Sequence, residues 1–240
     1  MRNKMSELAD AQIIQELRKF DTATICNVVA AYPGSDICLK LYDAWYGEYY
    51  TDQTLRCMYP EIGPVCGYTA TAWYSEASPE YTALDRWILP DHLDVTKKPI
   101  ILIARQTYPP ELINLSGLFG GNMTAQFKSL GVVGVVTDGP MRDYMEIKEM
   151  KVQYIATGLT SGHGPVTLRG VNIPVKVAGM AVSPGDILHM DVCGACKFPA
   201  NKLLKVLENA TELRKREIEQ QRIFQDPDFS LSKWKASVKK

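Results

Sequence analysis

The chain has 240 residues, of which 46% are hydrophobic and 22% charged, enough for one large domain or two small ones with a real core. Its 27 basic and 27 acidic side chains cancel, so no global field draws it to nucleic acid or anionic lipid, and a small molecule or a protein is the expected partner. No stretch approaches a membrane span.

Residues 1–20, MRNKMSELADAQIIQELRKF, read as a polar amphipathic helix without the apolar core of a secretion signal, which points to the cytoplasm. A second helix starts at DTATICNVVAA, where Asp21 or Thr22 can cap. From 32 to 61 the aromatic run has no steady period and is expected to form an irregular excursion, a lid or a subunit contact. GPVCGYTATAWYS (63–75) alternates as a strand, YTALDRWILP (81–90) reads as a short helix stopped by Pro90, and KPIILIARQ (98–106) as a buried strand. Next come the helix GGNMTAQFKSLG and the strand VVGVVTDG, with Gly131 placed as the left-handed helix terminator. YIATG, VNIPVKVAGMAV and GDILHMDV are β-like, and a long charged helix over 200–224 closes the body. One α/β domain over residues 1–225, helical at both ends, is expected, followed by a polar tail over 226–240.

The six cysteines read as free thiols, since a chain of this length does not need disulfide staples. Cys193 and Cys196 are the only close pair. A structural zinc would need a second pair or histidines at ligand spacing, and His189 lies in a strand-like run, so a hairpin turn is the simpler reading.

The helix–strand unit at 120–143 carries the chemistry. A helix of about nine residues spans roughly 13 Å, and five strand residues return roughly 17 Å. The strand therefore exits beside the helix entry, which sets Arg142 and Asp143 near Gly120 and Gly121. A helix N-terminus offers unpaired N–H groups, and paired glycines let a ligand approach the backbone. Arg142 adds a planar fork suited to a carboxylate, and Asp143 a hard oxygen suited to Mg²⁺ or Mn²⁺. The residues therefore outline a pocket for a metal-chelating oxoacid, formed by Gly120, Gly121, Asn122, Met123, Arg142 and Asp143. The plainer alternative is a turn cap or a surface ion pair worth under about 1 kcal/mol.

GGNMTAQFKSLGVVGVVTDGPMRD resembles the signature of the family that contains 4-hydroxy-4-methyl-2-oxoglutarate aldolases and the regulator of ribonuclease activity A. FDTATICNVV, GPVCGYTATA and VNIPVKVAGMAVSPGDILHMDVCGACKFP are similar to its other conserved stretches, and together they cover about two thirds of the chain. The resemblance implies a swivelling β/β/α-type α/β domain with N-terminal and C-terminal helices, assembled as a homotrimer or hexamer with sites between subunits. It implies a class II, metal-dependent lyase that cleaves or decarboxylates a small oxoacid through pyruvate enolate. Asp143 would hold Mg²⁺ or Mn²⁺, and Arg142 would contact the oxoacid and steady the enolate.

Gly121 stands where the family pattern has an acid that orders metal-bound water, and Asn27 where an Asp is common; a helix-start hydrogen bond is the plain reading of Asn27. His163, in a glycine-flanked loop, is a candidate for proton transfer. Glu217 and Glu219 on the terminal helix are candidates for reaching a neighbouring subunit. Asp138, Asp186 and Asp191 read as turn holders. Two alternatives stand beside the lyase: a non-catalytic regulatory binding protein, and a family member turned to another enolate-forming reaction.

Overall fold

The computed structural model describes residues 2–238. Helix α1 (Arg2–Leu17) leads into α2 (Thr22–Val29), whose start is capped by Asp21 accepting the Thr24 N–H at 2.6 Å. Asn27 sits five residues into α2 and has no part in that cap, so the helix-start hydrogen bond expected of it is made by Asp21 instead.

Strand β1 (Ala30–Ala31) follows α2 directly, and the excursion over 32–61 is irregular apart from the two-residue strands β2 (Tyr42–Asp43) and β3 (Arg56–Cys57) and a turn of 3₁₀ helix that begins at its end, Pro60–Ile62. Buried aromatics anchor it: Tyr49 stacks on Tyr42 with ring centroids 5.0 Å apart, and Tyr59 is fully enclosed.

The central strands β4 (Val65–Glu76), β5 (Ile100–Thr107), β6 (Val132–Thr137) and β7 (Gln153–Ala156) run parallel in that order. Between β4 and β5 lies helix α3 (Ile88–Val95), and α4 (Pro110–Ile113) and α5 (Gly121–Ser129) lie between β5 and β6. Helix α6 (Tyr144–Met150) connects β6 to β7. Strand β8 (Val166–Val171) pairs antiparallel with β4, while β9 (Val175–Val177) and β10 (Met180–Val182) pair with each other. Strand β11 (Ile187–Asp191) pairs with the first residues of β4 on the same edge as β8, opposite β5, and β12 (Gly194–Phe198) returns beside it through the hairpin that holds Cys193. Strand β3 closes the far edge against β7.

Both faces of the parallel strands are covered, which is why their sequences read as unbroken apolar runs. Ala70, Leu102, Val135 and Tyr154 face Leu93, Phe127 and Ile147 from the helices. On the other face Ile101, Ile103, Val136 and Ile155 meet Val177, Met180 and Leu188 from the antiparallel strands. A third cluster joins α1, α2 and the long helix α7 (Leu203–Phe224) through Leu17, Ile25, Val28, Val206 and Ala210.

Two elements differ from the sequence reading. The helix expected over 81–90 lies at Ile88–Val95, because Pro90 falls in its first turn, where the missing N–H has no intrahelical partner to lose. Pro90 starts this helix rather than ending it. The tail expected over 226–240 contains helix α8 (Leu231–Val238), folded so that Trp234 and Phe229 meet Phe224 edge-on at 5.2 and 5.7 Å. Residues 239 and 240 of that tail lie outside the described residues. All six cysteines are free thiols, and among the described residues no helix is long and apolar enough to cross a membrane.

His189 of β11 ties the N-terminal helices to the sheet. Its Nε2 donates to the Leu17 carbonyl at 3.1 Å, so Nδ1 accepts from the Thr22 hydroxyl at 2.9 Å, and Asp191 accepts the Thr22 N–H at 2.8 Å. Burial strips solvent from the charged ring and pushes its pKa down to about 4, against a partial opposing pull from Asp191. The unfolded chain gains this proton near pH 6.5 and the fold only near 4, so stability is full above the first value and falls as pH drops through the window. Urea unfolding between about pH 7.5 and about pH 4.5 is expected to show a loss of about 2 to 3 kcal/mol from this group. The slope should shrink by that amount in His189→Gln; an unchanged slope would remove His189 from the account.

Candidate active site

Only Leu130 and Gly131 separate α5 from β6, and Gly131 makes the reversal at φ +96°, a backbone that disfavours any side chain. At the exit of β6 the Asp138 carboxylate accepts the Gln106 N–H at 2.6 Å and pairs with Arg105, fixing the turn. The following residues thread between two loops. Met141 donates to the Gly158 carbonyl at 2.9 Å and accepts from the Thr160 N–H at 3.0 Å, and the Arg142 N–H reaches the Phe119 carbonyl at 3.3 Å.

Asp143 then takes a left-handed conformation, φ 58° and ψ 40°, which Asp tolerates better than most side chains. Its carboxylate does not cap its own helix α6. It crosses to the start of α5, where Oδ2 accepts the Gly121 N–H at 2.9 Å. The Arg142 Nε lies 3.5 Å from the same oxygen. Both side chains are about one third exposed, at 31% and 35%, so the pair itself adds little stability. What it provides is orientation. Among the described residues Asp143 Oδ1, the Arg142 terminal nitrogens and the N–H groups of Asn122 and Met123 have no hydrogen-bond partner, and all belong to residues lining one cleft of about 270 Å³.

The cleft brings together seven of the residues singled out in the sequence, Gly120, Gly121, Asn122, Met123, Arg142, Asp143 and His163, with Leu118 and Val166 as its apolar walls. His163 is exposed, and its Nδ1 donates to the Gly164 carbonyl at 2.7 Å, which leaves Nε2 with a free lone pair. The Ser116 hydroxyl holds this loop by donating to the His163 carbonyl at 2.9 Å. Glu217 and Glu219 lie on α7, outside the cleft. Asp186 and Asp191 hold turns, accepting the Ser183 and Cys193 N–H groups.

One residue near the cleft escaped the sequence reading. Glu146, one turn after Asp143 in α6, sets its carboxyl over Gly121, and a spacing of three from Asp143 on a helix was the signal available. Another cleft, between α2 and the excursion, is lined by Cys26, Asn27, Tyr32, Trp45 and Tyr49 among others. It contains no charged side chain to bind an anion or move a proton.

Among the described residues no three His, Cys, Asp or Glu side chains converge. The carboxylate oxygen that Asp143 offers at the cleft suits Mg²⁺ or Mn²⁺, ions that keep several waters when bound to protein.

The RraA-like family model, described as Aldolase/RraA, matches residues 22–196. The chain belongs to the RraA-like family. Among curated relatives, this RraA-like chain is 33% identical over 103 residues to an uncharacterized protein of Methanocaldococcus jannaschii, covering 42% of the chain and 50% of the relative. It is 33% identical over 85 residues to a 4-hydroxy-4-methyl-2-oxoglutarate aldolase of Thermus thermophilus, covering 35% of the chain and 52% of the relative. The chain thus spans about half the length of the curated relatives it matches. Among solved structures, RraAS2 of Streptomyces coelicolor, described as an unusual member of the RNase ES inhibitor RraA family, superposes with a TM-score of 0.67 at 20% identity. That match covers 88% of this chain and 98% of the other, and it shows the shared RraA-like α/β fold.

Gly120 has no room for a side chain: a Cβ there would lie 2.5 Å from Asp143 Oδ2 and 2.8 Å from Arg142 Nε. Gly120→Ala is expected to push both groups off the helix start while the fold persists, since φ of −115° suits alanine. Amide exchange at Gly121 should accelerate about tenfold, as a charge-assisted hydrogen bond is lost. Unchanged exchange at Gly121 would mean that Asp143 does not hold this N–H in solution.

Proposed function

We propose that this RraA-like protein is a divalent-metal-dependent lyase that cleaves or decarboxylates a small oxoacid through a pyruvate-type enolate. The observation that carries the reading is the shared orientation of Arg142 and Asp143 at the start of α5, with an oxygen of one and the fork of the other left unpaired. The aldolase relative from Thermus thermophilus supports it.

Asp143 Oδ1 would hold the cation, with Oδ2 kept in place by the Gly121 N–H. A divalent cation supplies Lewis-acid polarisation of the oxo group. Arg142 binds the substrate's carboxylate end and offsets the negative charge that grows on the oxo oxygen as the C–C bond breaks. The N–H groups of Asn122 and Met123, with the positive end of the α5 dipole, favour an anion at the same place. In a retro-aldol cleavage the substrate hydroxyl must lose a proton, and the free Nε2 of His163 is the acceptor within the cleft. In decarboxylation CO₂ leaves instead, and no hydroxyl proton is removed. Both routes deliver the bonding electron pair to the enolate of pyruvate.

The proposal includes a homotrimer or hexamer in the cytoplasm, with each cleft completed by a neighbour. The exposure of Trp45 and Tyr46, 83% and 86%, supports an assembly that covers the excursion. Analytical ultracentrifugation showing a monomer at micromolar concentration would overturn this part.

The test of the reaction is pyruvate release from oxaloacetate and from 4-hydroxy-4-methyl-2-oxoglutarate, with Mg²⁺ and with EDTA. Turnover of at least one acid is expected, abolished by EDTA and lowered by on the order of 100-fold or more in Asp143→Ala and Arg142→Ala. His163→Asn should lower retro-aldol kcat by about 100-fold and spare oxaloacetate decarboxylation. If neither acid is turned over and Mn²⁺ does not bind, the regulatory binding protein replaces the lyase as the better account.

A further inference from the structure

Glu146 is the third residue of α6, and an acid there has a plain explanation: a carboxylate near a helix N-terminus interacts favourably with the helix dipole. Its position says more. A Cβ built on Gly121 would lie 2.2 Å from Glu146 Oε2 and 2.3 Å from Oε1, so the carboxyl fills the volume that a side chain at 121 would occupy. The neighbouring Cβ direction, at Gly120, points into Asp143 Oδ2. Two consecutive glycines of one helix start are thus overlaid by two carboxylates from another helix.

Both acids lie against Gly121, and Glu146 is exposed. Asp143 Oδ2 is 2.9 Å from Gly121 N, and the Glu146 carboxyl covers the Cβ side of that same residue. Among the described residues Glu146 has no hydrogen bond and no ion pair, although Lys148 is nearby in sequence and pairs instead with Glu61. Asp143, just before α6, and Glu146, within it, bring two like charges to one residue. The arrangement gains stability from a cation between them or from its hydration shell.

We infer that Glu146, reaching over the side-chain-free Gly121, supplies the second carboxylate of the cation site, holding a water of the cation's hydration shell while Asp143 binds the ion itself. This rests on the lyase reading and names how its metal site is completed within one chain. Glu146 is a positioning residue, acting on the cation's shell and not on the substrate. The sequence lacks an acid at 121 because the carboxylate arrives from α6.

The test is Mn²⁺ binding to the full chain, followed by the electron paramagnetic resonance signal of the free ion, without substrate. Wild type is expected to bind, and Asp143→Ala to lose binding. Glu146→Ala and Glu146→Gln should each weaken it about 10- to 100-fold, the usual effect of removing an outer-shell partner. Gly121→Ala should do the same while leaving Glu146 in the sequence, because its methyl group displaces the carboxyl. The double variant Glu146→Ala with Gly121→Asp returns a carboxylate to the same volume and should recover most of the affinity.

Thermal unfolding separates a mere helix-terminus role, which would lower Tm in Glu146→Ala and leave Mn²⁺ affinity as in wild type. Binding lost in Asp143→Ala but unchanged in Glu146→Ala and Gly121→Ala overturns the assignment of Glu146 and leaves the lyase reading standing. Absence of binding by wild type overturns both.

Discussion

The hydrogen bond from the Gly121 N–H to Asp143 joins two places where the chain changes direction, and the candidate site exists only while both hold. One is the start of α5, where the backbone must come bare of side chains to admit Arg142 and Asp143. The other is the start of α6, where Asp143 adopts a left-handed backbone that costs energy and sends its carboxylate away from its own helix. An Asp in that conformation with its side chain capping α6 would be an ordinary turn. Directed at Gly121, the same residue presents one oxygen to the protein and one to the cleft.

The frame around this bond is rigid because the parallel strands are buried on both faces. Strand β6 cannot slide against β5 without exposing Val135 to one core and Val136 to the other, since a one-residue slip exchanges the faces of a strand. The Arg105–Asp138 pair and the Asp138 bond to the Gln106 N–H fix where β6 ends. Burial raises the Asp138 pKa even with Arg105 beside it, so this carboxylate serves the turn at an electrostatic cost that Arg105 and the Gln106 N–H offset only in part. The position of Arg142 follows from that register, four residues on.

Much of this was legible in the sequence, for definite reasons. A nine-residue helix, one glycine and a run of valines leave the chain a single way to return, so the meeting of Gly120 with Arg142 follows from lengths alone. The buried parallel strands announce themselves by continuous apolar character. The helix at Ile88–Val95 was misplaced because proline both ends helices and begins them, and only the first backbone bond, Asp91 N–H to the Trp87 carbonyl, decides which. The terminal helix escaped because Phe224, Phe229 and Trp234 pack across a turn and do not repeat with a helical period. Glu146 escaped for a deeper reason. Reading along the chain, an acid missing at 121 is a loss, whereas in space the vacancy is filled from twenty-five residues away.

That contrast bears on how a glycine pair should be interpreted. Gly120 and Gly121 look interchangeable as a flexible, ligand-friendly helix start, yet neither has the positive φ that demands glycine for the backbone's sake. Each is required by what lies opposite it: Gly120 by Asp143 and Arg142, Gly121 by Glu146. The first N–H of the helix is consumed by Asp143, which leaves the amides of Asn122 and Met123 in the cleft that Arg142 also lines. The pair therefore acts less as a cradle for substrate than as the clearance into which the protein's own charges fit. On the proposed reading, a substrate carboxylate entering the cleft would be directed to the Arg142 guanidinium and away from the Asp143 carboxylate that lines the same cleft.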